Sequence, residues 1–180
     1  MFYMKQQLSV EQSQFEKQDR IYRQLFGHEP HRLDYDKYTH AQRDDIDLVI
    51  KNNSGRPLKI SEKYRPFDYG DVLFEVWSVF PNDKGWGCES KADIMTYWTP
   101  TKLTIIDIRK TVEIFERNEI SKQMHLIEDN KELCSFILNN KTYYFWVVRA
   151  INQTYSSLSV ALKYEHLDKL GIKYSVIPLG

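Results

Sequence analysis

Residues 42–78 read QRDDIDLVIKNNSGRPLKISEKYRPFDYGDVLFEVWS, and the reading of this stretch decides the fold. DLVIK (47–51) is a short β-branched run, Asn52-Asn53-Ser54-Gly55 is a turn, and PLKISEKY (57–64) alternates with the period of a strand. Residues 66–70 interrupt the pattern, and DVLFEVWSVF (71–80) resumes it. Three extended runs with short links predict an antiparallel meander.

The same alternation sorts side chains by face. On the central run Ser61 and Lys63 share one face and Glu62 takes the other. Asp47 opens the first run and Glu75 stands in the middle of the third. If the second and third runs pair as a hairpin, Glu75 reaches the level of Ser61 or Lys63. Hydrolysis of a phosphodiester with Mg²⁺ needs hard carboxylate oxygens and gains from a nearby cation. Asp47 and Glu75 fit the first need and Lys63 the second. Ser61 is a weak, neutral ligand in a place that suits an acid, and Glu75 from the neighbouring strand would fill the vacancy. The competing reading is a solvated hairpin with Lys–Glu cross-strand pairs. Against it, LFEVW (73–77) is an apolar setting for Glu75, which buries at a cost unless the carboxylate has a partner.

Further out, residues 9–26 predict a helix, with Ser9 as N-cap, an apolar stripe of Phe15, Ile21, Leu25 and Phe26, and Gly27 as stop. Residues 91–98 predict a short helix, 103–108 a strand, 109–118 a helix, and 142–150 a strongly aromatic strand. Residues 119–140 are ambiguous, 158–162 read as a further strand and 165–170 as a helical turn. The expected class is α/β or α+β, a mixed central sheet flanked by helices. One domain over 1–180 is expected, with an N-terminal helix in 1–27 and a less defined C-terminal part in 119–180.

Composition limits the function. The formal net charge is zero, which argues against a protein held on nucleic acid by bulk charge. Charge is nevertheless arranged locally. Residues 51–66 carry Lys51, Arg56, Lys59, Lys63 and Arg65 against Glu62 alone, and residues 34–47 carry five aspartates against Lys37 and Arg43. An acidic cluster beside a basic strip suits a metal beside a phosphate, although ordinary surface charge explains it as well. There is no apolar run long enough to span a membrane and no apolar leader at the N-terminus. Cys88 and Cys134 form no CxxC, so a reducing cytoplasmic compartment is expected. His28-x-x-His31 is a poor metal pair because Gly27 and Pro30 flank it. Tyr143, Tyr144, Phe145 and Trp146 could stack bases, but core packing of alternate members is the simpler reading.

The stretch from Gln42 to about Asn118 resembles phage- and bacteria-borne proteins of the PD-(D/E)XK, or restriction-endonuclease-like, superfamily. The resemblance rests on Gln42, Ile46-Asp47, ISEKYR (60–65), Tyr69-Gly70-Asp71, LFEVWS (73–78), then Gly85-Trp86-Gly87 with Ala92, Asp93 and Tyr97, and the LTIIDI strand. It implies a restriction-endonuclease-like core, Mg²⁺ (or Mn²⁺) dependence and a DNA substrate, with RNA as another option and a homodimer allowed. Asp47 and Glu75 become the metal ligands, joined by the backbone carbonyl of Glu62, and Lys63 the catalytic cation. Ser61, Gln42 and Arg65 stand in support. The superfamily pattern has Asp, Glu or Gln where this chain has Ser61. That departure, with zero net charge, favours the alternative: an inactive nuclease fold that binds DNA or a host protein, as an inhibitor or accessory factor.

Overall fold

The structure, a computed structural model, describes residues 15–33, 40–127, 132–151 and 156–179. The side chain of Gln42 and the predicted N-terminal turns at 9–14 lie outside the described residues. Helix α1 (15–26) is followed by β1 (His31–Arg32), α2 (His40–Arg43), β2 (Leu48–Lys51), β3 (Pro57–Tyr64), β4 (Asp71–Val79) and β5 (Asp83–Lys84). Then come α3 (Trp86–Glu89), β6 (Ile94–Trp98), β7 (Lys102–Ile106), α4 (Ile108–Arg117), α5 (Ile120–His125), β8 (Leu133–Leu138), β9 (Lys141–Ile151), β10 (Ser156–Lys163), α6 (Tyr164–Leu170) and β11 (Tyr174–Pro178).

The strands form two sheets, so the class is mixed α+β. The first sheet has the order β1-β2-β3-β6-β7-β11 and the second β5-β4-β10-β9-β8. The expected hairpin of β2 and β3 is present, with Leu48 opposite Ile60, and its turn is closed by the Asn52 side chain accepting from Ser54 N and Arg56 N at 3.0 Å each. The expected meander ends there. β4 does not continue beside β3; it pairs with β10 and β5 in the second sheet. The connection at 66–70 therefore crosses between sheets, with Gly70 at φ +72. A crossing and a hairpin loop use the same turn residues, so the sequence does not separate them.

Beside β3 lies β6 instead, and this pair is parallel, with Ser61 opposite Met95 and Lys63 opposite Tyr97. Residues 91–98 were expected to be helical, and this is corrected: Met95, Thr96, Tyr97 and Trp98 are buried on both faces of a central strand. A strand covered on both sides loses its alternation and reads as a continuous apolar run. The ambiguous 119–140 stretch resolves into α5 and β8. Gln123 of α5 caps the outer edge of β8: its amide donates to Ile137 O at 2.9 Å and accepts from Ile137 N at 2.7 Å.

The larger core lies between the sheets and α4, where Val72, Phe74, Met95, Ile106, Phe115, Phe136 and Phe145 are fully buried. A second cluster sits under α1, where Tyr22 joins Leu48, Ile50, Ile60, Trp98 and Leu103. Side chains of this size contribute about 1.5–3 kcal/mol each when fully buried. The first sheet is thus covered on both faces, which makes β3 a fixed platform for what it carries.

Candidate functional site

β3 sends its residues two ways. Ile60 and Glu62 face α1. There Glu62 accepts from Tyr22 Oη at 2.8 Å and from Arg32 Nη1 at 2.7 Å, and Arg32 also pairs with Asp19 at 2.8 Å. The network is completed by Tyr22 and Thr96 hydroxyls 2.6 Å apart. Burial, with Glu62 adding to it, raises the Tyr22 hydroxyl well above its ordinary value. The Glu62 side chain is therefore committed to holding α1 and β1 against the sheet, on the opposite side from Lys63.

Ser61 and Lys63 face the second sheet. Where β2 begins to pair, Asp47 N donates to Ile60 O at 2.9 Å, and the Asp47 carboxylate accepts from Glu62 N at 2.5 Å. The acid side chain thus continues the ladder past the last β2 backbone rung. This holds Asp47 beside the strand and 3.8 Å from the Lys63 ammonium. Lys63 donates to Asp45 at 2.5 Å, and the Trp86 ring lies 5.2 Å from its nitrogen. Asp45 stands at φ +57, a left-handed conformation that Asp tolerates better than most residues, and this turns its carboxylate toward β3. The spacing argument missed Asp45; the feature that could have found it is the acidic pair before Ile46 in a chain segment that must turn.

Glu75, on β4 of the other sheet, feels the charges of this group. Its carboxyl is held above its ordinary value, chiefly by burial, with the Lys63 ammonium opposing and the Asp45 carboxylate reinforcing the shift. Gly85 and Gly87 pack directly against its backbone. A Cβ on Gly85 would lie 2.5 Å from the Glu75 carbonyl oxygen, and one on Gly87 2.7 Å from it. Only glycine allows this approach, which seats Trp86 between Lys63 and Phe74, the latter ring 5.7 Å away.

The structure thus brings Asp47 and Asp45 to Lys63, couples Glu75 of the second sheet to Lys63 and Asp45 through their charges, and separates the Glu62 side chain from them. Ser61 is completely buried on the Lys63 face, and its hydroxyl has no hydrogen-bond partner among the described residues; one Asp45 oxygen is in the same state. Arg65 lies beyond the strand end, paired with Asp71 and 4.3 Å over the Tyr69 ring. Among the described residues no group of three or more His, Cys, Asp or Glu is gathered tightly enough to hold a metal by itself. The donor chemistry still suits Mg²⁺, which takes hard oxygens, commonly one or two carboxylates, with water and substrate phosphate completing the shell. No described helix is long and apolar enough to cross a membrane. In comparisons with known proteins, no family model matches the chain, and no curated protein or solved structure matches it.

Proposed function

We propose that this chain is a metal-dependent nuclease-like protein with a restriction-endonuclease-like core, hydrolysing phosphodiester bonds in DNA and originating from a phage or mobile element in a bacterial cell. One observation carries the reading. The Lys63 ammonium contacts the Asp45 and Asp47 carboxylates, the half-buried Glu75 of the second sheet is coupled to it by charge, and a fully buried, orphaned hydroxyl stands two residues before it on the same strand. Buried charge of this kind costs stability and is typical of sites kept for chemistry. The strand arrangement β2-β3-β6-β7, with one parallel pair and α4 following, supports the fold part of the proposal.

Asp47 and Glu75 are the residues that would hold Mg²⁺ or Mn²⁺, and the metal would supply Lewis-acid polarisation of the phosphate. Lys63 offsets the negative charge that develops on the phosphorus oxygens. Asp45 and Trp86 keep its ammonium at one position, which is what electrostatic stabilisation requires. Ser61, at a place where an acid suits better, leaves Glu75 as the second carboxylate.

A second reading has its own support. The described residues gather no three-ligand group, and Ile137, Tyr144 and Trp146 stand exposed on one face of the second sheet. The same fold without turnover, bound to a host protein, explains both. Calorimetric titration of Mg²⁺ and Mn²⁺ beside a plasmid-nicking assay separates the two. Metal binding with nicking is expected; metal binding without cleavage favours the second reading, and the absence of both removes the metal site.

A further inference from the structure

Arg65, Phe67 and Tyr69 follow Lys63 on the segment that crosses between the sheets. Phe67 and Tyr69 are 65% and 63% exposed, a large apolar area for one short segment. The segment is pinned all the same. Asp68 accepts from Gly70 N at 2.9 Å and Thr101 Oγ1 at 2.7 Å, and pairs with Lys102 at 2.9 Å. Arg65 is itself tied to the first sheet through its N–H to Trp98 O at 2.8 Å, and its guanidinium lies 4.3 Å over the Tyr69 ring. These contacts present the two rings and the guanidinium as a prepared surface.

Opposite that surface stands Trp146 of β9, 47% exposed. Arg65, Tyr69 and Trp146 line one cavity of about 540 Å³, with Val148 giving apolar wall, Glu132 giving an acceptor, Arg149 a second cation, and Asp71 held by Arg65. The volume is within the range of sites that take small planar ligands, roughly 300–1,000 Å³. Asp71 and Glu132 are balanced by Arg65 and Arg149, so the lining has no net charge with which to hold a phosphate, and Glu132 suits the amino groups on the edge of a base. A chain without net positive charge gains little from backbone electrostatics, so stacking is the stronger source of affinity open to it.

We propose that this cavity receives an unpaired nucleobase of the strand whose backbone lies at Lys63, so that the substrate class is nucleic acid with unpaired bases rather than intact duplex. The proposal rests on the nuclease reading of the Lys63 site. A base inside a duplex is already stacked and paired on both sides, whereas a single-stranded, flapped or extruded base is free to enter.

The test is fluorescence anisotropy in EDTA, with one labelled oligonucleotide presented as single strand and as blunt duplex. Wild type binds the single strand more tightly. Trp146→Ala and Tyr69→Ala each weaken single-strand binding about ten-fold, the scale of one lost stack, and leave duplex binding unchanged. Trp146→Phe keeps most of the affinity, which separates stacking from a folding defect. Equal binding of the two forms, or single-strand binding unaltered in both alanine variants, overturns the proposal. Nicking is scored separately. A protein that prefers single strands but cuts nothing supports the base slot and removes the nuclease reading; one that cuts but shows no preference does the reverse.

Discussion

Lys63 of β3 donates to Asp45 at 2.5 Å, a contact across 18 residues of sequence, and it is shorter than the 3.8 Å approach of the same ammonium to Asp47. The residue nearest the lysine is therefore the one that strand spacing did not single out. Asp45 precedes β2 in a left-handed turn, and its carboxylate holds Lys63 while adding negative charge around Glu75.

Asp45 separates backbone from charge. Asn tolerates φ +57 nearly as well as Asp, whereas Ala pays about 1 kcal/mol there. Asp45→Asn is expected to keep the wild-type melting temperature and to lower single-turnover cleavage, because Lys63 loses its closest anchor. Asp45→Ala is expected to lose both. Thermal melts of the two variants check the first point, and equal melting temperatures for Asn and Ala would remove the strain argument.

Glu75 makes stability depend on pH in a defined direction. Its carboxyl titrates above the unfolded value, so the favourable contribution of its protonated form is complete below the unfolded pKa and is lost as pH rises through the folded one. Glu75→Gln removes that loss. The variant should melt above wild type at neutral pH, by less in acid, and should not cleave. A melting difference that is the same at pH 4 and pH 8 contradicts the burial of a titrating group at this position.

Gly85→Ala tests how closely the Trp86 turn sits on β4. The new methyl would meet the Glu75 carbonyl oxygen and Cγ at 2.5 and 2.6 Å, and backbone cannot move aside as a side-chain tip can. A destabilisation of about 2–3 kcal/mol is expected, the upper part of the range for overpacking. Urea unfolding measures it, and a loss below about 0.5 kcal/mol would mean that the turn relaxes freely.

Lys63→Met keeps the stem and deletes the charge. In an active nuclease the rate should fall about 10²–10³-fold. Nucleic-acid affinity should fall by no more than one phosphate contact, read as a change of about one in the salt slope. Single-turnover cleavage and binding on the same preparation decide it. If the variant cuts as fast as wild type, the chemistry lies elsewhere.

What could be read in the sequence follows from local periodicity. The alternation in β3 correctly put Ser61 and Lys63 on one face and Glu62 on the other, because a strand with a distinct environment on each side keeps a period of two. β6 was misread because both of its faces are buried, leaving no polar side to mark the period. The partner of β4 was misread because it is β10, at the far end of the chain, and long-range pairing leaves no trace in a local pattern. Strand spacing alone points to Asp47 and Lys63, whereas Glu75 joins them in the sequence only through a β3–β4 hairpin; β4 lies in the second sheet instead, and Glu75 is coupled to Lys63 by charge from there. Gly85 and Gly87 lie directly against the Glu75 backbone, a close contact that no spacing rule contains.

The amide of Gln123 matters beyond its own helix. An outer strand offers its free N–H and C=O groups to any passing extended chain, which is the first step toward fibrous polymerisation. By answering Ile137 in both senses with a side chain, α5 takes one rung of the β8 template out of use. A neighbouring molecule that adds itself to β8 must stop short of that rung or displace the glutamine. A single polar side chain thus limits the colloidal hazard of an otherwise apolar edge reading Leu-Cys-Ser-Phe-Ile-Leu.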